Sequence, residues 1–259
     1  MTAPTLYDPS PSGATAINSG GSLAPTAPAG TQAGDILLLL IGLESVLNAA
    51  NLTAIQTTAG FTQLAGSPVA TGSGGGQTRM YAFWKRATSS SPTMPTWANF
   101  SDYQVAICLG IRGCPTTGNP WDVFAWGGDP ANDINLAYDG VTTTEADTRV
   151  IYAGVVLGST AAGTLTGTNC ANFDPVWKLN VNSSGKDGGL MVYSGTVHSP
   201  GPSGTATGNT GGVFQSDTWL TMALKPLDEP GVVNTEVSGY RYGSNAASAV
   251  YAGTVKVWP

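Results

Sequence analysis

At 259 residues the chain is long enough for one large β domain or two small ones. Charged residues are only 10% of it, so its surface has to be built from Gly, Ser, Thr, Asn and Ala. Net charge is −6, from 16 acids against 10 bases, and only Lys85-Arg86 places two bases side by side; the basic stripe that nucleic-acid binding needs is excluded.

Met1–Ser10 has neither a basic region nor an apolar core, so no secretory signal is read there, and the first ~20 residues are expected as an extended arm. The longest apolar run, Ile36 to Leu43, is far short of the ~20 residues that cross a bilayer, so no membrane span is expected. Eight strand candidates follow between Gly/Ser/Thr/Pro loops: 35–43, 61–64, 79–86, 103–111, 149–157, 176–180, 189–196 and 218–224. Gly or Pro interrupts almost every window, so no helix of ordinary length is expected. Ile36–Ile41 is apolar on both faces and predicts a central strand. The pattern predicts an all-β protein, an antiparallel β-sandwich of jelly-roll type spanning residues 1–226.

The strands echo one another. Gly34-Asp35 and Ala146-Asp147 each open an apolar strand, 112 positions apart, and Phe61 and Phe173 repeat that spacing. Arg79-Met-Tyr-Ala-Phe is echoed by Leu190-Met-Val-Tyr-Ser, and Tyr103-Gln-Val-Ala-Ile by Thr218-Trp-Leu-Thr-Met. This predicts an internal duplication, with Ile36–Ile41 and Arg149–Val155 as equivalent central strands.

Few residues point to chemistry. Cys108 and Cys114, six positions apart, leave one disulfide conceivable, but Cys108, Cys114 and Cys170 are read as free thiols with no zinc-type ligand cluster around them. The sole histidine, His198, sits in a Gly/Pro/Ser loop with no nucleophile elbow and no orienting partner at a readable spacing. Asp122, Asp129, Asp133 and Asp139 crowd one stretch together with Asn132 and Asn135, and are the best candidates for a cation loop or a glycosidase pair; turn building is the plainer reading. Gly72–Gly76 lacks the Lys-Ser/Thr of a phosphate loop. Among the seven tryptophans, Trp121 and Trp126 flank the Asp-rich stretch and are the candidates for stacking on a sugar. No catalytic residue, cofactor or metal site is assigned, and the chain is read as a non-enzyme.

After a linker at 227–231, residues 232–259 carry two aromatic tetrads, Tyr240-Arg-Tyr242-Gly and Val250-Tyr251-Ala-Gly, and then Val255, Val257 and Trp258. Each tetrad is a short strand pattern closed by Gly, and the whole is too small to hold a core of its own. It is therefore expected to be a β-hairpin tag that docks on another protein through Tyr240, Tyr242, Val250, Tyr251, Val255, Val257 and Trp258. The run YGSNAASAVYAGTVKVWP resembles the endings of tailed-phage structural proteins, above all minor tail proteins of phages of actinobacteria. Further upstream, Gly34-Asp35, Gly60-Phe61, Trp84-Lys-Arg-Ala87, Ile111-Arg-Gly113 and Asn119-Pro-Trp-Asp122 resemble a pattern common in phage and bacterial extracellular β-sandwich proteins.

These resemblances imply a virion structural protein assembled in the host cytoplasm, a minor tail or tail-tip component. Its partners would be other virion proteins and copies of itself. A capsid decoration or head-fibre protein is the alternative within that class. A carbohydrate-binding adhesin contacting host-wall glycan is the alternative outside it, and a glycan hydrolase is the third.

Overall fold

The computed structural model describes residues 2–7, 22–44, 46–73, 77–98, 104–130, 134–157, 163–183, 186–210, 212, 216–227, 250–252 and 255–257. The first half of the chain contains β1 (Thr5–Tyr7), β2 (Ser22–Leu23), β3 (Ile36–Leu43), β4 (Thr62–Gln63), β5 (Val69–Thr71), β6 (Thr78–Arg86), β7 (Trp97–Ala98) and β8 (Gln104–Arg112). The second contains β9 (Trp121–Asp129), β10 (Asn135–Tyr138), β11 (Thr142–Thr143), β12 (Thr148–Leu157), β13 (Thr164–Thr166) and β14 (Ala171–Ser183). It continues with β15 (Lys186–Val197), β16 (Gly201–Pro202), β17 (Ala206–Asn209) and β18 (Ser216–Leu224). A short helix, α1 (Ala49–Thr53), runs into a π-helical turn at Ala54–Thr58 and is capped by the Asn48 side chain, which accepts from Asn51 N–H at 2.9 Å. The strands β19 (Val250–Ala252) and β20 (Val255–Val257) lie near the C-terminus. The chain divides into two units, residues 1–228 and 229–259.

The fold is an all-β sandwich. The first sheet runs β1-β8-β3-β6-β4, with β5 also on β6, and the second runs β14-β15-β12-β18-β9. Every pairing is antiparallel. The facing sides share one core: Leu38, Leu40, Met80, Val105 and Ile107 from the first sheet meet Ile151, Val155, Leu190, Val192 and Leu220 from the second. Each outer side is covered as well. Leu37, Leu39, Ile41, Tyr81 and Phe83 pack under Leu23, Ile55, Phe61 and Trp97. Val150, Tyr152, Met191 and Tyr193 pack under Leu136, Tyr138, Leu165 and Ala206. Double coverage is why β3 and β12 are almost unbroken apolar runs instead of alternating ones.

The two sheets are wired alike. β3 lies between β8 and β6, and β12 lies between β18 and β15, each in the middle of its sheet. Each sheet uses one half of the chain, so the halves pack face to face; the chain does not alternate between sheets as a jelly roll would. The structural match differs by one position from the 112-residue spacing. Leu38 and Leu40 face the shared core together with Ile151 and Ala153, and Gly34 corresponds to Asp147, not Ala146. A slip of one residue would turn every side chain of the strand to the opposite face.

Within the N-terminal stretch expected as an extended arm, Thr5–Tyr7 pairs with Gly110–Arg112 as the edge of the first sheet. The short elements β1, β2, β5, β7, β10, β11, β13, β16 and β17, together with the nine-residue β9, add to the eight strands read from sequence. No helix among the described residues is long and apolar enough to cross a membrane.

Candidate functional site

The aromatic margin of the sandwich is formed by β6 and β9. Trp84, on the inner face of β6, meets Trp121 edge-on, with centroids 5.1 Å apart and planes at 89°. Trp121 meets Phe124 in the same way at 5.9 Å and 80°. Edge-to-face contacts of this kind add stability beyond the area they bury. Trp126, two residues further along the same face, donates its indole N–H to the Ala65 carbonyl at 2.9 Å. Its ring lies against Gly66, where a Cβ would stand 3.0 Å from Cδ1. Both candidate sugar-stacking rings are thus half-buried, and both lean on neighbours at the open side of the shared core.

The Asp-rich stretch is not a cluster along its first part. Asp122 and Asp129 end the same extended strand, so their α-carbons are about 23 Å apart at ~3.3 Å per residue. That exceeds the span of any glycosidase carboxylate pair. Asp122 caps a turn instead, accepting from Thr144 N–H and Thr144 Oγ1–H at 2.6 Å each. At the far end the buried Asp217 carboxylate accepts from Asp129 N–H at 2.8 Å. Asn132 and Asp133 lie outside the described residues.

His198 does have a partner. Its Nδ1 lies 2.9 Å from Asp147 Oδ1, and the Asp147 N–H donates to the His198 carbonyl at 3.4 Å. The sequence reading missed this partner because the two residues are 51 positions apart and meet only where β12 begins beside the end of β15. Among the described residues, no hydrogen bond joins His198 to a Ser or Cys side chain, so the pair is a histidine–carboxylate contact without an activated nucleophile.

The three cysteines are free. Burial pushes the Cys108 and Cys114 thiols up to about 12 each. Cys170 is also raised by burial, against the opposing effects of Thr168, Tyr152 and Arg149. Thiols held protonated in this way are poor nucleophiles.

In the C-terminal unit, β19 and β20 pair as a ladder with Val250 opposite Val257, Tyr251 opposite Lys256 and Ala252 opposite Val255. Tyr240, Tyr242 and Trp258, the other docking candidates, lie outside the described residues. Comparison with protein-family models, with curated proteins and with solved structures finds no match.

Proposed function

We propose that this chain is a non-enzymatic structural protein of a phage virion, a minor tail or tail-tip component that docks through its C-terminal β segment. One observation carries the reading. The last unit, residues 229–259, contains a three-residue, two-stranded ladder of Val, Tyr and Ala against Val, Lys and Val. A ladder of that size is marginal in water by itself and gains stability when another surface covers it. Its partners are other virion proteins and copies of this chain, and its place is the assembled particle.

The body suits such a role. A sandwich covered on both outer sides, with few charges, presents a rigid and sparsely charged surface. The shared wiring of the two sheets, with β8-β3-β6 matching β18-β12-β15, supports an origin by duplication. The phage assignment itself rests on the resemblance of the C-terminal run, and the shortage of catalytic geometry around His198 and the Asp residues favours structure over hydrolysis.

The test is to locate the chain in purified particles of the phage that encodes it, by labelled-density cryo-microscopy. Density at the tail tip agrees with the reading. Density on the head moves the assignment to a capsid decoration or head-fibre protein. Absence from the particle overturns it and leaves the carbohydrate-binding reading, with Trp121 and Trp126 as its contacts.

A further inference from the structure

The N-terminal strand β1 occupies a seat whose main charged groups hold one another in place. Arg112 is fixed by Asp35 through two hydrogen bonds, Nε to Oδ1 at 2.9 Å and Nη2 to Oδ2 at 2.7 Å, and by the Gly30 carbonyl at 2.9 Å. Asp35 also accepts from Gln32 N–H at 2.7 Å. From β1, the Tyr7 hydroxyl adds a hydrogen bond to the same carboxylate and one to Thr31 Oγ1 at 3.4 Å. The guanidinium carbon held in this way lies 4.6 Å from the centroid of the Tyr7 ring. The same ring rests on Gly110, where a Cβ would come within 2.6 Å of Tyr7 Cζ.

The remaining contacts grip the other end of the segment. Arg149, at the start of the central strand of the second sheet, donates its Nε–H to the Pro4 carbonyl at 3.0 Å. Leu6 packs against the shared core, and Thr5, Leu6 and Tyr7 pair with Arg112, Ile111 and Gly110. The seat therefore recognises a short extended segment by main-chain pairing, one carbonyl and one aromatic ring. That is the chemistry of β-strand addition.

Two features make the seat exchangeable. The ladder is only three residues long. The segment joining β1 to β2, residues 8–21, reads DPSPSGATAINSGG, fourteen residues with a maximum reach of about 45 Å. A strand held by a three-residue ladder and joined to the next described strand by fourteen residues can be replaced by the same strand of another molecule with no new contact, and the outcome is set by effective concentration.

We propose that the seat lined by Gly110, Arg112 and Arg149 accepts the Pro4–Tyr7 segment of a second copy of this chain, so that copies join by exchanging β1. Reciprocal exchange closes a dimer, and one-way exchange extends a row. The inference is independent of the C-terminal segment and of the virion reading.

The experiment uses the full chain and a fluorescent peptide of residues 2–10, followed by anisotropy, with light scattering for the oligomeric state. Wild-type protein takes up the peptide, and a peptide carrying Tyr7→Ala does not bind. Tyr7→Ala in the protein weakens the resident strand and raises uptake of the wild-type peptide by about tenfold, a gain that general destabilisation of the seat would not produce. Gly110→Ala lowers uptake. Refolded wild-type protein forms dimers or longer species as its concentration rises, and excess peptide returns it to monomer. No uptake by either protein, equal binding of the Tyr7→Ala peptide, or a monomer at every concentration would each overturn the proposal.

Discussion

Gly34 and Asp147 hold the same place in the two halves of the sandwich. Each lies just before the central strand of its sheet with a positive φ, 95° at Gly34 and 53° at Asp147. Each donates its N–H to a carbonyl just past the end of the neighbouring strand, Ala87 at 2.8 Å and His198 at 3.4 Å. One half meets the left-handed requirement with glycine and the other with aspartate, a residue type that tolerates it.

Gly34→Ala has open space around its new Cβ, so its cost is the dihedral alone, about 1–2 kcal/mol. Asp147→Ala and Asp147→Gly lose the same side-chain contacts, but the alanine variant also bears the left-handed strain. It should be the less stable of the two by about 1 kcal/mol in urea denaturation. Equal stabilities would show that φ is not what the position selects.

Gly154→Ala tests the packing of the second sheet. A Cβ there would stand 2.1 Å from the hydroxyl of Tyr138, a ring that is fully buried and stacked on Trp219. Overpacking of this kind costs typically 1–3 kcal/mol, and the midpoint of chemical denaturation should fall accordingly. A wild-type midpoint would mean that the outer layer formed by β10, β13 and β17 is looser than its burial indicates.

Asp35 links pH to stability. Burial opposes its ionisation, but hydrogen bonds from Arg112, Tyr7 and the Gln32 N–H outweigh burial and hold the carboxyl below its usual value. A carboxyl depressed in the fold stabilises above its unfolded pKa, about 3.9, and loses that contribution as pH falls through the folded value. Asp35→Asn should therefore be less stable than wild type at neutral pH yet lose less stability on acidification from pH ~5 to ~2. Parallel acid limbs for the two proteins would remove Asp35 from the account.

Cys108 and Cys114, buried and protonated, should resist alkylation at pH 8 in the folded protein and react once it is denatured. Mass spectrometry of iodoacetamide adducts decides this. Rapid labelling of Cys108 under native conditions would show that β8 opens easily.

Much of the fold was legible because it rests on local signals. The apolar runs at 36–43 and 149–157 are so continuous that only strands covered on both sides suit them, and both became central strands. β9 was harder to read: Asp122 and the Gly127-Gly128 pair resemble loop, and what makes the segment a strand is its long-range pairing with Ser216–Leu224. Gly127 and Gly128 are needed there because Trp219 and the Asp217 backbone occupy the space a Cβ would take. β1 was hidden for a related reason, since three residues carry no periodicity and the strand exists only through the seat at Gly110 and Arg149. The link between His198 and Asp147 depends on strand register, which a one-position error in the repeat spacing obscures.

The docking role of the C-terminal segment is the centre of the account, and removing that segment tests it most directly. Full-length protein and a variant lacking residues 232–259 should be supplied separately during particle production, and the copies per purified particle counted by quantitative mass spectrometry. The account predicts that the truncated protein remains folded and soluble, with wild-type thermal unfolding of the sandwich, and is absent from particles. Truncated protein incorporated at the full-length copy number would contradict it.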